Sequence, residues 1–160
     1  MKQPDMNNTD RHLLKTAIDI ARSSREHGNH PFGALLADQE GNILLRAENT
    51  VVTDRDCTGH AETNLIRRAS QTLSPEQMAE CTLYSSTEPC AMCAGAIFWG
   101  NIRRVVYALS EENLYTLTGE IPDKLLLACR EVFARSARQI EVIRPALEEE
   151  AQKVHAGFWT

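Results

Sequence analysis

The stretch STEPCAMCAGAIFWG, residues 86–100, contains a Cys-x-x-Cys pair at what reads as the start of a helix. On a first helical turn, the spacing of Cys90 and Cys93 points both thiols the same way, so that one metal ion can accept both. Pro89 fits the first turn of a helix, where free backbone N–H groups favour thiolate over thiol. The pair alone fits a zinc site, a redox dithiol or two plain buried cysteines.

A second stretch, GHAETNLIRRAS at residues 59–70, supplies a histidine near another predicted helix start. The two helices flank the predicted strand CTLYSS, so their N-terminal ends can converge at one end of a sheet and bring His60 to the two cysteines. Three protein ligands leave the fourth position of a catalytic zinc open for water. Cys57 is the only nearby candidate for a fourth ligand, and its position in a predicted loop indicates that it does not bind the metal.

Glu62 stands two residues after His60 at the same helix start and can reach over the metal without being a ligand. A base in that position would take the proton of a water molecule that the metal activates. The alternative is a capping glutamate beside a surface histidine. The full order favours the base, because His-x-Glu at residues 60–62 followed by Pro-Cys-x-x-Cys at residues 89–93 is the pattern of zinc-dependent deaminases.

The order of predicted elements around these motifs indicates an α/β fold. Strands alternate with helices after an opening hairpin, which predicts a layered sheet covered on both faces. With no linker or internal repeat, residues 1–160 are predicted to form a single domain. The predicted helices cover about residues 10–27, 60–73, 91–100, 121–136 and 145–159, and the predicted strands cover residues 32–38, 42–49, 81–86, 103–109 and 139–143.

Composition narrows the classes of protein. Hydrophobic residues make up 42% and charged residues 24% of 160 residues, which is ordinary for a soluble globular protein. A net charge of −5 argues against a protein that grips phosphate backbones. Apolar runs are far shorter than the ~20 residues of a membrane helix. A polar first stretch and five cysteines, an odd number, favour a reducing cytoplasm.

The chain resembles the cytidine deaminase-like superfamily from about residue 10 to the end. The resemblance rests on PFGA at residues 31–34, an asparagine that ends the second strand, HAE at residues 60–62 and TEPCAMCAGAI at residues 87–97. It is closest to bacterial guanine deaminases and fungal cytosine deaminases, with tRNA adenosine deaminases nearby. It implies a three-layer α-β-α sandwich with a five-stranded mixed sheet, and a homodimer in which the C-terminal segments can be exchanged.

The resemblance also implies an activity and further site residues. One Zn²⁺ per chain, held by His60, Cys90 and Cys93, would serve hydrolytic deamination of a nucleobase or nucleoside, with release of ammonia. Asn49 is expected to hydrogen-bond the substrate ring, and the Ala61 backbone amide to meet its acceptor edge. A flat ring binds well between apolar walls, and Phe32 is the first candidate for such a wall. Trp99 is the second candidate, and its alternative role is that of a core residue.

The substrate is less sharply defined than the reaction. Guanine or a related aminopurine leads, followed by cytosine or a related amino-pyrimidine or triazine. A tRNA adenosine substrate ranks lower, because the net charge is acidic and residues 148–150 are all glutamate. Asn113 falls where similar guanine deaminases carry an acidic residue that contacts the purine, directly after Glu111 and Glu112. A zinc-binding or redox interaction module without catalysis is the non-enzyme alternative.

The sequence ends in an aromatic tail, GFW at residues 157–159. Gly157 gives the backbone freedom to turn, and the two rings give something to bury. Two interpretations follow: an inert subunit contact, or a lid over the substrate pocket that brings Trp159 to the substrate. The lid is the favoured interpretation, because excluding bulk water would strengthen the electrostatic interactions of the zinc and Glu62 with a planar substrate.

Overall fold

In the computed structural model, which describes residues 5–143 and 145–159, five strands form one mixed sheet. Their order is β2-β1-β3-β4-β5; β1 is antiparallel to both of its neighbours, and the last three strands are parallel. The predicted five-stranded mixed sheet is therefore confirmed. The strands are β1 Gly33–Ala37, β2 Ile43–Glu48, β3 Thr82–Thr87, β4 Arg104–Leu109 and β5 Glu141–Ile143.

Helices cover both faces of this sheet, which confirms the three-layer sandwich. One core cluster joins α3, α5 and α7 to one face, and a second joins α1, α6 and α8 to the other. The helices are α1 Asn8–Glu26, α2 Val51–Asp54, α3 Ala61–Thr72, α4 Pro75–Ala79, α5 Ala91–Trp99, α6 Glu111–Thr118, α7 Cys129–Ala134 and α8 Glu148–Val154.

Strands β1 and β4 read as nearly continuous apolar runs because they are buried on both faces. In β4, Val105 and Tyr107 belong to one cluster, while Val106 and Ala108 belong to the other. This is the two-residue period of a strand. The same period along β3 decides which of its polar residues reach the functional site.

Gly33 opens β1 where α1 packs directly on the sheet. A Cβ atom at this position would lie 2.5 Å from the Ala21 nitrogen and 2.6 Å from the Ala17 oxygen, closer than atoms can approach. A buried polar contact holds the other end of the same helix. Arg104 and Tyr84 both donate to the carboxylate of Asp10, at 2.8 Å and 2.7 Å.

Three short helices were not expected from the sequence: α2, α4 and α6. The predicted helix over residues 121–136 is largely wrong, because only Cys129–Ala134 is helical. Its leucines, Leu125 and Leu126, are 64% and 52% exposed, so the apolar pattern there does not mark a buried face. The last helix begins at Glu148 instead of residue 145, after Leu147 in a left-handed conformation (φ 59°).

Two further points concern the ends and the surface of the chain. The outermost residues of the predicted single domain, 1–4 and 160, lie outside the described residues. Among the residues that are described, no helix combines the length and the apolar character needed to cross a membrane.

Candidate metal centre and adjoining cavity

Two helix starts meet at the carboxyl end of the central parallel strands. His60 is the N-cap of α3 and Cys90 is the N-cap of α5, and neither side chain caps its own helix. Both side chains are therefore free to project from the helix ends, where the positive end of each helix dipole favours a negative sulfur. The sequence prediction that these residues converge is confirmed.

The donor atoms have the spacing of a tetrahedral zinc site. Nδ1 of His60 lies 3.5 Å from Sγ of Cys90 and 3.5 Å from Sγ of Cys93, and all three donors lie within 4.8 Å of one another. Zinc–nitrogen and zinc–sulfur bonds at a tetrahedral angle separate such atoms by about 3.6 Å. The three side chains thus fit zinc and leave its fourth position open. Cys57 is exposed and lies outside this cluster.

Ionisation of the two thiols is coupled through their short separation. Hydrogen bonding from Cys93, and further from His60, lowers the pKa of the Cys90 thiol to about 4. The hydrogen bond to Cys90 and burial raise the pKa of Cys93, so the pair favours one shared negative charge. A divalent cation among these atoms would favour the thiolate form of both.

Glu62 lies beside the metal donors with its carboxylate held in place. It is only 5% exposed, and Oγ of Ser85 donates to its Oε1 at 2.7 Å. Its Oε2 lies 3.5 Å from Sγ of Cys93. Burial raises the pKa of the Glu62 carboxyl above its usual value, which suits a group that takes and returns a proton near neutral pH.

A cavity of about 490 Å³ adjoins the metal donors and Glu62. Its lining places ionisable groups at the metal end, with aromatic and aliphatic side chains around the rest, as expected of a site for a flat, polar ligand. The residues that line it are His30, Phe32, His60, Glu62, Thr87, Glu88, Cys90, Glu111, Leu114, Tyr115, Thr118, Ile121, Pro122, Asp123 and Trp159.

A further carboxyl group that lines this cavity belongs to Glu111, two residues before Asn113. Glu111 is 3% exposed, its Oε2 accepts the Leu127 N–H at 3.2 Å, and burial raises its pKa to about 7. Asn113 is absent from the lining and donates to Glu148 on α8. The start of α6 after Ser110 thus brings Glu111, and not Asn113, into the lining of the cavity.

Glu88 connects three segments around the site and was missed in the sequence. Its carboxylate accepts the Cys129 N–H at 3.0 Å and the Glu111 N–H at 3.3 Å. It thereby fixes the starts of α6 and α7 relative to the turn that carries Cys90. The sequence does contain one indication of this role, because Glu88 is an acidic residue between a predicted buried strand and the Pro-Cys pair.

The C-terminal tail, residues 155–159, folds back over the cavity of its own chain. The Trp159 ring stacks on His155, with centroids 6.1 Å apart and planes at 14°, and its Nε1–H donates to His155 Nδ1 at 3.0 Å. Arg25 donates to the Val154 and Ala156 carbonyls at 2.8 Å and 2.7 Å. Gly157, at φ 69°, allows the turn between helix and rings.

Aromatic contacts attach this tail to the start of β1. Trp159 lies 6.2 Å from the Phe32 ring and 5.8 Å from His30, and all three line the cavity. The structure does not bring Trp99 there: the side chain projects at the end of α5 and is 82% exposed. Helix geometry explains this, because six residues separate Trp99 from the cysteine on the first turn of α5, which carries it away from the cavity.

Asn49 and Ala61 are buried next to the cavity without being among its lining residues. The Asn49 backbone N–H bonds the Phe32 carbonyl at 3.1 Å, and Oδ1 of Asn49 accepts the Val51 N–H at 3.0 Å. Among residues 5–143 and 145–159, the side-chain amide nitrogen of Asn49 finds no acceptor, so it is free for a ligand. Ala61 begins α3 directly after His60.

Comparison with known proteins agrees with this geometry. Residues 7–109 match the family model described as the cytidine and deoxycytidylate deaminase zinc-binding region, and the chain belongs to this family. It is therefore a zinc-dependent deaminase of a nucleobase or nucleoside, with zinc held by His60, Cys90 and Cys93.

Relatives fall into three substrate branches. A probable cytosine deaminase of Schizosaccharomyces pombe is 41% identical over 162 residues, which is 99% of this chain and 98% of the relative. The guanine deaminase of Bacillus subtilis is 42% identical over 97 residues, 60% of this chain and 62% of that protein. A solved tRNA adenosine-34 deaminase superposes with a TM-score of 0.71 at 28% identity, covering 90% of this chain and 99% of that chain.

Proposed function

We propose that this protein hydrolyses the exocyclic amine of a free amino-pyrimidine base, with cytosine as the first candidate. The observation that carries the reaction is a buried carboxylate, Glu62, beside three metal donors in a cavity with aromatic walls. The likeness to a probable cytosine deaminase over nearly the full length of both chains supports the pyrimidine. This revises the sequence-based ranking, which put guanine first.

The protein's own residues account for the proton transfers. Zinc, when bound, supplies Lewis-acid activation of a water molecule. Glu62 takes one proton from that water and gives it to the ring nitrogen next to the amine-bearing carbon. The water oxygen then bonds to that carbon. Glu62 takes the second proton to the amino nitrogen, which leaves as ammonia. The oxygen and both hydrogens of water are thereby accounted for, and one carboxylate serves as base and then as acid.

Ser85 and the burial of Glu62 prepare this carboxylate for both roles. The 2.7 Å hydrogen bond from Ser85 Oγ fixes Oε1, so the carboxylate does not need to reorient during the reaction. Asn49 would hydrogen-bond the ring, Ala61 would offer its backbone N–H to the acceptor edge, and Glu111 would accept from a ring N–H or amine. Cytosine and guanine both carry such donors.

Aromatic side chains would border the bound ring. Phe32 and Trp159 line the same cavity and lie 6.2 Å apart at a tilt of 53°, so each can offer a face or edge to a planar base. Guanine remains the second candidate, because the Bacillus subtilis guanine deaminase is 42% identical over 97 residues. An acidic chain, with a net charge of −5, is poorly suited to tRNA phosphates.

Ammonia release from a substrate panel tests this function. Zinc-loaded protein is offered cytosine, guanine, cytidine and an anticodon stem-loop RNA with a target adenosine, with Glu62→Gln as the matched control. We expect kcat/KM for cytosine to exceed the others at least ~tenfold, and Glu62→Gln to keep zinc and fold while losing at least ~10³-fold in turnover. A higher kcat/KM for guanine or for the RNA would replace the cytosine proposal.

Two broader expectations accompany this proposal. We regard residues 1–160 as one deaminase domain and the homodimer as its assembly, with the C-terminal tail closing the cavity of its own chain. Light scattering of the purified protein checks the mass of the assembly, and limited proteolysis checks for a single resistant fragment.

A further inference from the structure

We propose that Thr87 is a substrate-contact residue whose hydroxyl group accepts a hydrogen bond from the departing amine. This inference rests on the deamination proposed above and deepens it. Thr87 was not singled out in the sequence. It is the last residue of β3, directly before the Glu88-Pro89-Cys90 turn.

A missing hydrogen bond draws attention to this side chain. Thr87 is 3% exposed, and its Oγ1, a fully buried atom, has no hydrogen-bond partner within residues 5–143 and 145–159. A buried hydroxyl group without a partner destabilises the folded protein, because it loses its hydrogen bonds to water. Such a cost is expected only where a ligand completes the hydrogen bond or where the group has some other use.

Strand geometry places Thr87 at the reacting end of the cavity. Side chains two residues apart on a strand share a face, so Thr87 lies on the same face as Ser85, which holds Glu62 at 2.7 Å. The chain then passes through Glu88 and Pro89 to Cys90. Thr87, Glu62 and Cys90 all line the cavity. The threonine thus shares a strand face with the serine that holds the proton carrier.

Rotation about the Cα–Cβ bond makes the hydroxyl available to the substrate. A change of the staggered χ1 rotamer places Oγ1 where the methyl group was. The oxygen can then form a hydrogen bond with a polar group of a ligand in the cavity. During the reaction the amino nitrogen gains a proton and becomes ammonia, which has one N–H more than the amine. The hydroxyl oxygen can accept that additional N–H. The contact is then stronger in the transition state than in the bound substrate, and kcat is affected more than KM.

Two substitutions separate this role from a structural one. Thr87→Val keeps the shape and removes the hydroxyl, whereas Thr87→Ser keeps the hydroxyl and removes a methyl group. We expect Thr87→Val to lower kcat about tenfold with KM within about twofold of wild type. Thr87→Ser should retain at least about half of the wild-type kcat. Because Thr87→Val removes an unsatisfied buried group, its melting temperature should equal or exceed that of wild type.

Several outcomes would overturn the inference. These are an unchanged kcat in Thr87→Val, a rise in KM alone, or a melting temperature lowered by more than about 4 °C, which would indicate a structural partner for the hydroxyl. Failure of the proposed function itself looks different. In that case wild-type protein would release no ammonia from any base, while the melting temperatures of both variants could still be compared.

Discussion

Replacing Trp159 by alanine should reduce kcat/KM for the preferred base by about 5- to 150-fold. Trp159 lines the cavity next to Phe32 and is held by the 3.0 Å hydrogen bond to His155. Stacking of a base on an aromatic ring contributes about 1 to 3 kcal/mol, and each 1.4 kcal/mol is roughly a tenfold change. Loss of the hydrogen bond should lower the unfolding free energy by only about 1 kcal/mol.

The chain supplies its own control, because its two tryptophans lie in opposite environments. Trp99 is 82% exposed and outside the cavity, so Trp99→Ala should change kcat/KM less than about twofold. In a Trp99→Phe background, Trp159 is the single tryptophan, and its fluorescence should change when the base binds. Equal kcat/KM for Trp159→Ala and wild type would refute the role of the tail. So would an activity loss that merely follows the unfolded fraction at the assay temperature.

Two further changes test the metal centre and the carboxyl group of Glu111. Cys93→Ala should retain less than about 0.2 zinc per chain by elemental analysis, because two donors hold zinc poorly; full zinc content would show that the site is wrongly assigned. Glu111→Gln should become progressively more stable than wild type as pH rises from 4.5 to about 7, since only the unfolded chain releases this proton in that window. Chemical denaturation should show a final difference of about 1 to 3 kcal/mol between the two proteins. The exposed neighbour Glu112→Gln should show no such trend.

Much of the metal centre could be predicted because it depends on local sequence. His60, Cys90 and Cys93 follow short spacings at helix starts, and Glu62 is fixed by its distance from His60 on one turn. The strands were found because they read as short, mostly apolar runs between turns and helical patterns. Only the meeting of His60 with the cysteines, 30 and 33 residues further along the chain, required the predicted order of helices and strands.

The remaining residues depend on contacts between distant segments. Glu88 bonds the backbone of Cys129, 41 residues away, and no local pattern marks such a pair. Glu111 and Asn113 differ only in which side of a short helix they occupy, and the start of α6 decides that. The overlong helix prediction at residues 121–136 had a similar cause, because apolar spacing alone does not tell whether a partner surface exists.

The position of Trp159 in the sequence has a consequence for how the protein acquires its metal. A chain is synthesised from its N-terminus, so His60, Cys90 and Cys93 are all made well before the tail that later borders their cavity. A newly made chain can bind zinc through an open side before the tail docks. In the finished protein Trp159 borders the cavity next to the metal donors, and removing that ring should speed both loading and chelator-driven loss of zinc.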